Sequence, residues 1–248
     1  MVRGVRSAFM ACLLLWATGA RAGHIGEMQQ VGSLKIDRTE VTIGQFRRFV
    51  TATRMVTTAE RLGGGLVYAS GWVRKRGWTW RTPFGKPGGD DEPAVHVTFD
   101  EAQAYCRWAG KRLPTDKEWV KEAYTETRSS PPAPFVNDRT YPFPTGDSPR
   151  GANCLKDCGK TPALNYGAVL ERGRGHAKAG ATKPGVNGLF DMGANVWEWV
   201  NFGDGHNKRT RGGSWWYGAV QMRADHLASK PRDMAVVYIG FRCVADLR

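Results

Sequence analysis

The chain has 248 residues, 41% of them hydrophobic, which is enough to build one sizeable core. Its formal charge is +13, but the basic residues are scattered as Lys-Arg and Arg-x-Arg pairs rather than gathered in a stripe. That pattern reads as a solvated surface and speaks against nucleic acid as a partner.

At the start, Arg3 and Arg6 precede an apolar run from Ala8 to Ala17, and Ala20-Arg21-Ala22 follows with the small-x-small pattern of a cleavage site. The run falls short of the roughly 20 apolar residues a bilayer span needs. A signal peptide over 1–22, cleaved after Ala22, is therefore expected, with a periplasmic or secreted single domain over 23–248. Cys12 sits inside the apolar run rather than after it, so no lipid anchor is expected, and no later stretch is apolar enough for stable membrane insertion.

Three stretches pair a Thr with a Gln or Glu three residues later: Thr42 with Gln45, Thr98 with Glu101, and Thr115 with Glu118. Each is a capping-box signature for a helix start. Apolar residues recur at helical spacing behind them, at Ile43, Phe46, Phe49 and Val50, then at Ala102, Tyr105, Cys106 and Ala109, then at Trp119, Val120 and Ala123. Gly110 is placed to end the second helix. Ala94–Val97 and Tyr238–Val244 are expected as short strands, Ser129–Pro149 as a Pro-rich excursion, and Gly159–Gly185 as loop. High glycine (31) and tryptophan (10), without repeats or a dividing linker, suit one compact domain with much irregular backbone.

Beyond Ala22 the cysteines are Cys106, Cys154, Cys158 and Cys243, an even set that reads as a disulfide framework in an oxidising compartment. Three pairings are possible; Cys154 and Cys158 are close enough to pair locally, which leaves Cys106 with Cys243. A Cys-x3-Cys metal site is the rival for the local pair, but no second pair with zinc-like spacing accompanies it.

Asn187–Trp199 packs two carboxylates, two side-chain amides and two tryptophans into one short segment. Asp191 and Glu198, with intervening carbonyls, suit a hard cation such as calcium; the plainer reading is loop hydrogen bonding beneath packed tryptophans. Arg209–Tyr217 sets two glycines beside Ser214 and three aromatics, a plausible pocket floor. The familiar serine-hydrolase, zinc-protease and phosphate-loop motifs are missing. His24, His96, His176, His206 and His226 are scattered singly, as surface or satisfied core histidines would be.

Four motifs occur together in order: Glu40-Val-Thr-Ile-Gly-Gln-Phe46, Ala104–Thr115 with Glu118-Trp119, Asn187–Trp199, and Arg211-Gly-Gly-Ser-Trp215 through Gly240-Phe-Arg-Cys243. Bracketing residues 33–245, they resemble the formylglycine-generating-enzyme (sulfatase-modifying-factor) superfamily. The resemblance implies an α+β fold, a disulfide-stapled variant of the C-type-lectin fold with little regular secondary structure. It also implies a Cys106–Cys243 bridge and a structural calcium held by Asp191, the backbone oxygens of Ala194 and Val196, and Glu198. Gly193-Ala194 departs slightly from the family loop, which more often has Gly directly before the Asn.

Ser214 matches the family's active-site serine, and Trp197 lines the same pocket. The two cysteines that bind copper in the oxidase are replaced here by Tyr217 and Met222. A thioether binds copper(I), but a phenol does not replace a thiolate, and thiol exchange with substrate requires a thiolate. Cysteine-to-formylglycine oxidation is therefore not expected. The expected function is an oxidative or modifying step on a peptide-like substrate, with pocket residues Ser214, Trp197, Tyr217 and Met222 and a redox metal of unknown identity. The alternative is a non-catalytic, lectin-like binding or assembly module.

Overall fold

The computed structural model describes residues 26–165 and 174–247. The expected signal segment lies outside the described residues, as do positions 166–173 of the expected loop.

The helices are α1 (Ile43–Thr53), α2 (Thr58–Arg61), α3 (Phe99–Trp108) and α4 (Asp116–Tyr124). All three expected capping boxes form, and Thr57 with Glu60 makes a further one at α2, a helix too short to show a periodicity. In each, the hydroxyl accepts the N3 amide while the Gln or Glu accepts the cap amide, satisfying donors that a helix start leaves open. Behind α3, Gly110 turns left-handed (φ 71°), its N–H donating to Arg107 and that of Lys111 to Cys106. This is a Schellman ending that glycine adopts without a Cβ clash.

The strands are β1 (Met28–Val31), β2 (Leu34–Asp37), β3 (Gly64–Tyr68), β4 (Trp72–Arg76) and β5 (Trp197–Trp199), then β6 (Asn207–Arg211), β7 (Ala228–Pro231), β8 (Ile239–Gly240) and β9 (Val244–Asp246). β1, β2 and β9 form one antiparallel sheet, and β3 and β4 a hairpin. The third sheet runs β7-β6-β5-β8, antiparallel except for the β5–β8 pair.

The two expected strands come out differently. Ala94–Val97 does make long-range backbone bonds, Ala94 N to Val41 O and His96 N to Val236 O. However, His96 is left-handed (φ 56°), which breaks the extended run. Tyr238–Val244 divides into β8 and the start of β9, because the chain between them leaves one sheet for another. On the way Phe241 accepts from Val41 N, and Cys243 exchanges bonds with Asp37.

The main core is aromatic. Phe46 and Phe49 of α1 lie 5.8 and 5.6 Å from the Tyr105 ring of α3, and Phe241 lies 5.4 Å from it. Such pairs contribute about 0.5–1.5 kcal/mol each beyond burial. Both disulfides are present: Cys106–Cys243 ties α3 to the approach to β9, and Cys154–Cys158 closes a small ring. The Pro-rich segment is pinned by Glu126 N to Arg139 O and Tyr141 N to Tyr124 O. Its Phe135 and Tyr141 pack on Val186, and Pro144 O accepts Val186 N, so it braces the base of the Asn187–Trp199 segment.

Candidate functional site

The Asn187–Trp199 segment is the structural hub. Asn187, Asp191, Ala194 and Asn195 all have positive φ, between 49° and 61°. Left-handed backbone is disfavoured for residues with a Cβ and persists where surroundings hold it. Here side chains hold it. Asn187 Oδ1 accepts Thr127 N, and its amide donates to the carbonyls of Glu122 and Thr125. Asn195 Oδ1 accepts Ala177 N, and its Nδ2 donates to Glu40 Oε1 at 2.9 Å.

β5 then alternates. Glu198 turns inward, where its carboxylate takes Arg242 through Nε and Nη2 at 2.8 and 2.7 Å, and Trp119 Nε1 at 2.8 Å. Arg242 is fully buried and also donates to the carbonyls of Asp37 and Phe190. Asp191, from the same segment, accepts Gly180 N at 2.7 Å and Thr182 Oγ1 at 2.5 Å.

A third carboxylate completes this buried polar cluster. Glu40 is fully buried, and its carboxyl makes a side-chain hydrogen bond with that of Asp191. Burial first, and then Asp191 beside it, pushes its carboxyl well above the usual range. Burial likewise raises Asp191, against the bonds from Thr182 and Gly180. Three buried carboxylates face one guanidinium, so either Glu40 and Asp191 share a proton or a cation stands with them. The carboxyls of Glu40 and Asp191 are the hard oxygen donors a cation would use here, and both Asp191 oxygens already accept protein donors. Glu198 comes to it already paired with Arg242. Among the described residues no three His, Cys, Asp or Glu side chains are arranged to hold a metal ion by themselves, so such a site draws on backbone carbonyls.

On the other side of the sheet lies a cleft of about 380 Å³, lined by Tyr68, Trp72, Leu155, Trp216, Tyr217, Gly218 and Tyr238. Tyr68 and Trp72 come from the β3–β4 hairpin, are 47% and 42% exposed, and pack edge to face with ring centroids 5.4 Å apart. Tyr238 is the buried floor, with Trp216 at 5.5 Å, Tyr217 at 5.6 Å and Trp72 at 6.5 Å between ring centroids. The Tyr217 and Tyr238 hydroxyls meet at 3.3 Å. The lining offers stacking faces and phenol hydroxyls, and among the described residues no thiol, carboxylate or amine.

The four expected pocket residues separate. Tyr217 lines the cleft. Trp197 stands directly behind it, edge-on to Tyr217 at 5.8 Å and 5.7 Å from His226, whose pKa burial lowers. Ser214 is buried off the cleft and braces its own turn, its Oγ accepting Trp216 N at 3.3 Å. Met222 points away altogether, fully buried with its sulfur 3.7 Å from Cys158 Sγ. Ser214 and Met222 are thus not lining residues: the turn after β6 sends Trp216 and Tyr217 outward and packs its two ends inward. Tyr68, Trp72, Leu155 and Tyr238 went unassigned in the sequence, although Leu66–Tyr68 and Trp72–Arg74 around Ala69-Ser70-Gly71 carry a hairpin signal.

Comparison with known proteins matches this arrangement to one family. The model of the sulfatase-modifying factor enzyme 1-like domain matches residues 20–247. The formylglycine-generating enzyme of Streptomyces coelicolor is 31% identical, the match covering 85% of this chain and 77% of that enzyme. The mouse inactive C-alpha-formylglycine-generating enzyme 2 is also 31% identical, over 94% of this chain and 82% of its own length. Among solved structures, PvdO from Pseudomonas aeruginosa superposes with a TM-score of 0.59 at 19% identity, covering 86% of this chain and 80% of that one. CarF does so with 0.56 at 18%, covering 90% and 97%. These likenesses show the fold. With its motifs in order and the family model matching nearly end to end, the chain belongs to the sulfatase-modifying factor enzyme 1-like family.

Proposed function

We propose that this chain is a member of its family with no free thiol among its described residues, whose aromatic cleft binds a peptide-like ligand and which does not convert cysteine to formylglycine. One observation carries the reading. Tyr217, standing where the first copper-binding cysteine is expected, is part of a cleft walled by rings, while Cys106, Cys154, Cys158 and Cys243 are all tied in disulfides. Thiol exchange needs a thiolate, whereas concave aromatic walls with a few hydroxyls suit binding. The test has two arms. A sulfatase-derived cysteine peptide incubated with the copper-loaded protein is expected to yield no formylglycine by mass spectrometry. A tripeptide library screened by tryptophan fluorescence is expected to give ligands that W72A no longer binds. Formylglycine in the first arm, or no ligand in the second, sinks the reading.

A second reading places an oxidative or other modifying step on the same bound substrate. It is favoured by the relatives, which include the hercynine oxygenase of Mycobacterium tuberculosis at 28% identity over 80% of this chain and 43% of that enzyme, and by the proton-bearing Tyr217–Tyr238 hydroxyl pair. Stoichiometric copper or iron in the purified protein separates it from the first.

Two accompaniments complete the proposal. Calcium would bind at Asp191, the carbonyls of Ala194 and Val196, and Glu198, supported by the excess of buried carboxyl groups there, with Glu40 beside Asp191. Chelation should then lower the melting temperature, and calcium, not magnesium, should restore it. Export with removal of Met1–Ala22 is supported by the two disulfides, which persist in oxidising compartments. N-terminal sequencing of the secreted or periplasmic product should begin at Gly23.

A further inference from the structure

The β3–β4 hairpin that gives Tyr68 and Trp72 to the cleft has one open edge. β3 leans inward: Leu66 N donates to Ala235 O, and Leu66 O accepts Val237 N. Leu66 thus uses both backbone groups on the side away from β4, so its partner across the hairpin, Arg74, forms a non-hydrogen-bonded pair with it. The N–H and C=O of Arg74 therefore point to the outer side of β4, and those of Trp72 and Arg76 follow by the alternation of the ladder. Among the described residues no strand pairs with that edge. The side chains of Trp72, Arg74 and Arg76 share one face of the hairpin at intervals of about 7 Å, and all three are exposed. Several arginines elsewhere on the surface meet an acid, as Arg81 does Glu60, Arg112 does Glu118 and Arg232 does Asp100. Arg74 and Arg76 meet none among the described residues, Arg74 donating only to Gly64 O.

We infer that the free edge of β4 takes an extended acidic peptide as a third strand, its carboxylates meeting Arg74 and Arg76, and that an apolar residue of the same peptide is what the cleft holds beside Trp72. The inference rests on the peptide-binding reading above and adds the ligand's conformation and charge to it. Backbone groups open along the outer edge supply strand pairing, which is indifferent to sequence. Selection comes from the cationic face, because opposite charges directly across a ladder stabilise it and like charges oppose it. Acids at alternate positions of a strand fall on one face, where both guanidiniums stand, and an aromatic residue two positions from the first acid falls beside Trp72. Charged edges also keep copies of a chain from pairing with one another, and a basic surface draws any acidic peptide. Neither effect by itself needs backbone pairing or these two arginines.

The intact chain would be titrated, by fluorescence polarisation, with labelled Phe-Thr-Glu-Thr-Glu-Thr and with its reverse, which together cover both strand directions. Gln and Lys counterparts of each accompany them. One order is expected to bind, with Gln in place of Glu weakening it about three- to tenfold and Lys abolishing it. Salt at about 0.5 M should remove the preference. R74Q/R76Q should erase the difference between Glu and Gln probes, whereas R48Q/R54Q, which removes two exposed cations at α1, should leave it. N-methylation at one alternate set of peptide amides should abolish binding, and at the other set spare it. Four results overturn the inference: no binding of either probe, equal binding of Glu and Gln probes, an equal loss in R48Q/R54Q, or tolerance of N-methylation at every amide. With any of them, tripeptides that still bind the cleft leave the earlier reading standing. An acidic probe that binds W72A as tightly as the native chain keeps the strand addition and removes the cleft reading instead.

Discussion

One short strand serves two regions of opposite character. From β5, Glu198 projects into a buried polar cluster in which Arg242 and Trp119 pair with its carboxylate, while Glu40 and Asp191 crowd the same arginine. Trp197, one residue earlier, stands behind an open cleft of rings with half-exposed walls. Side chains of adjacent strand residues point to opposite faces, so a single register fixes both. The contrast separates what holds the domain from what it can present. The polar cluster is costly to disturb and inaccessible, whereas the cleft is reachable and tolerates change.

The contrast is broken most severely at Arg242. R242A leaves Glu198 buried and unpaired, and urea unfolding should show a loss of about 3–5 kcal/mol. Replacing the pair together, as E198L/R242M, should recover only the part of that loss due to Glu198, because Glu40 and Asp191 also face Arg242. Removing the long bridge with C106A/C243A should cost about 2–5 kcal/mol in the same measurement.

A smaller effect sharpens the polar side. Glu122 is pushed up to about 7 by burial, from an ordinary 4.5. The folded state thus holds this proton more tightly than the unfolded chain. Its contribution is full below about pH 4.5 and is lost as pH rises through about 7. E122Q should flatten that decline between pH 5 and 8 in a series of denaturant curves. The smallest stability effect is expected in the cleft. W72A should shift unfolding by no more than about 0.5 kcal/mol while weakening ligand binding by about 2 kcal/mol. A large stability loss there would mean that the hairpin wall is structural rather than presented.

Much of the scaffold was legible because its signals are local. Thr42, Thr98 and Thr115 announce helix starts through partners three residues away, and Gly110 announces an end. The pairing of Cys154 with Cys158 is equally short in reach. The cleft was not legible in this way. Tyr68, Trp72, Leu155 and Tyr238 are distant in sequence, and nothing in their own neighbourhoods says that they will share a wall. Motif position likewise does not say which side chains face the cleft: the turn after β6 gives it Trp216 and Tyr217 and buries Ser214 and Met222.

The sequence by itself determined the helix caps, the cysteine framework and, through motif order, the family and its α+β fold. Only the tertiary structure decided that Glu40 joins Asp191 and Glu198 around one arginine. It alone set Tyr217 in a cleft and turned Met222 toward Cys158. The physical reason is range: caps and small rings are settled by hydrogen bonds and closures spanning a few residues. Buried charge balance and cleft walls arise only when segments far apart in the chain, 44 residues for Glu198 and Arg242 and 155 for Glu40 and Asn195, are packed together.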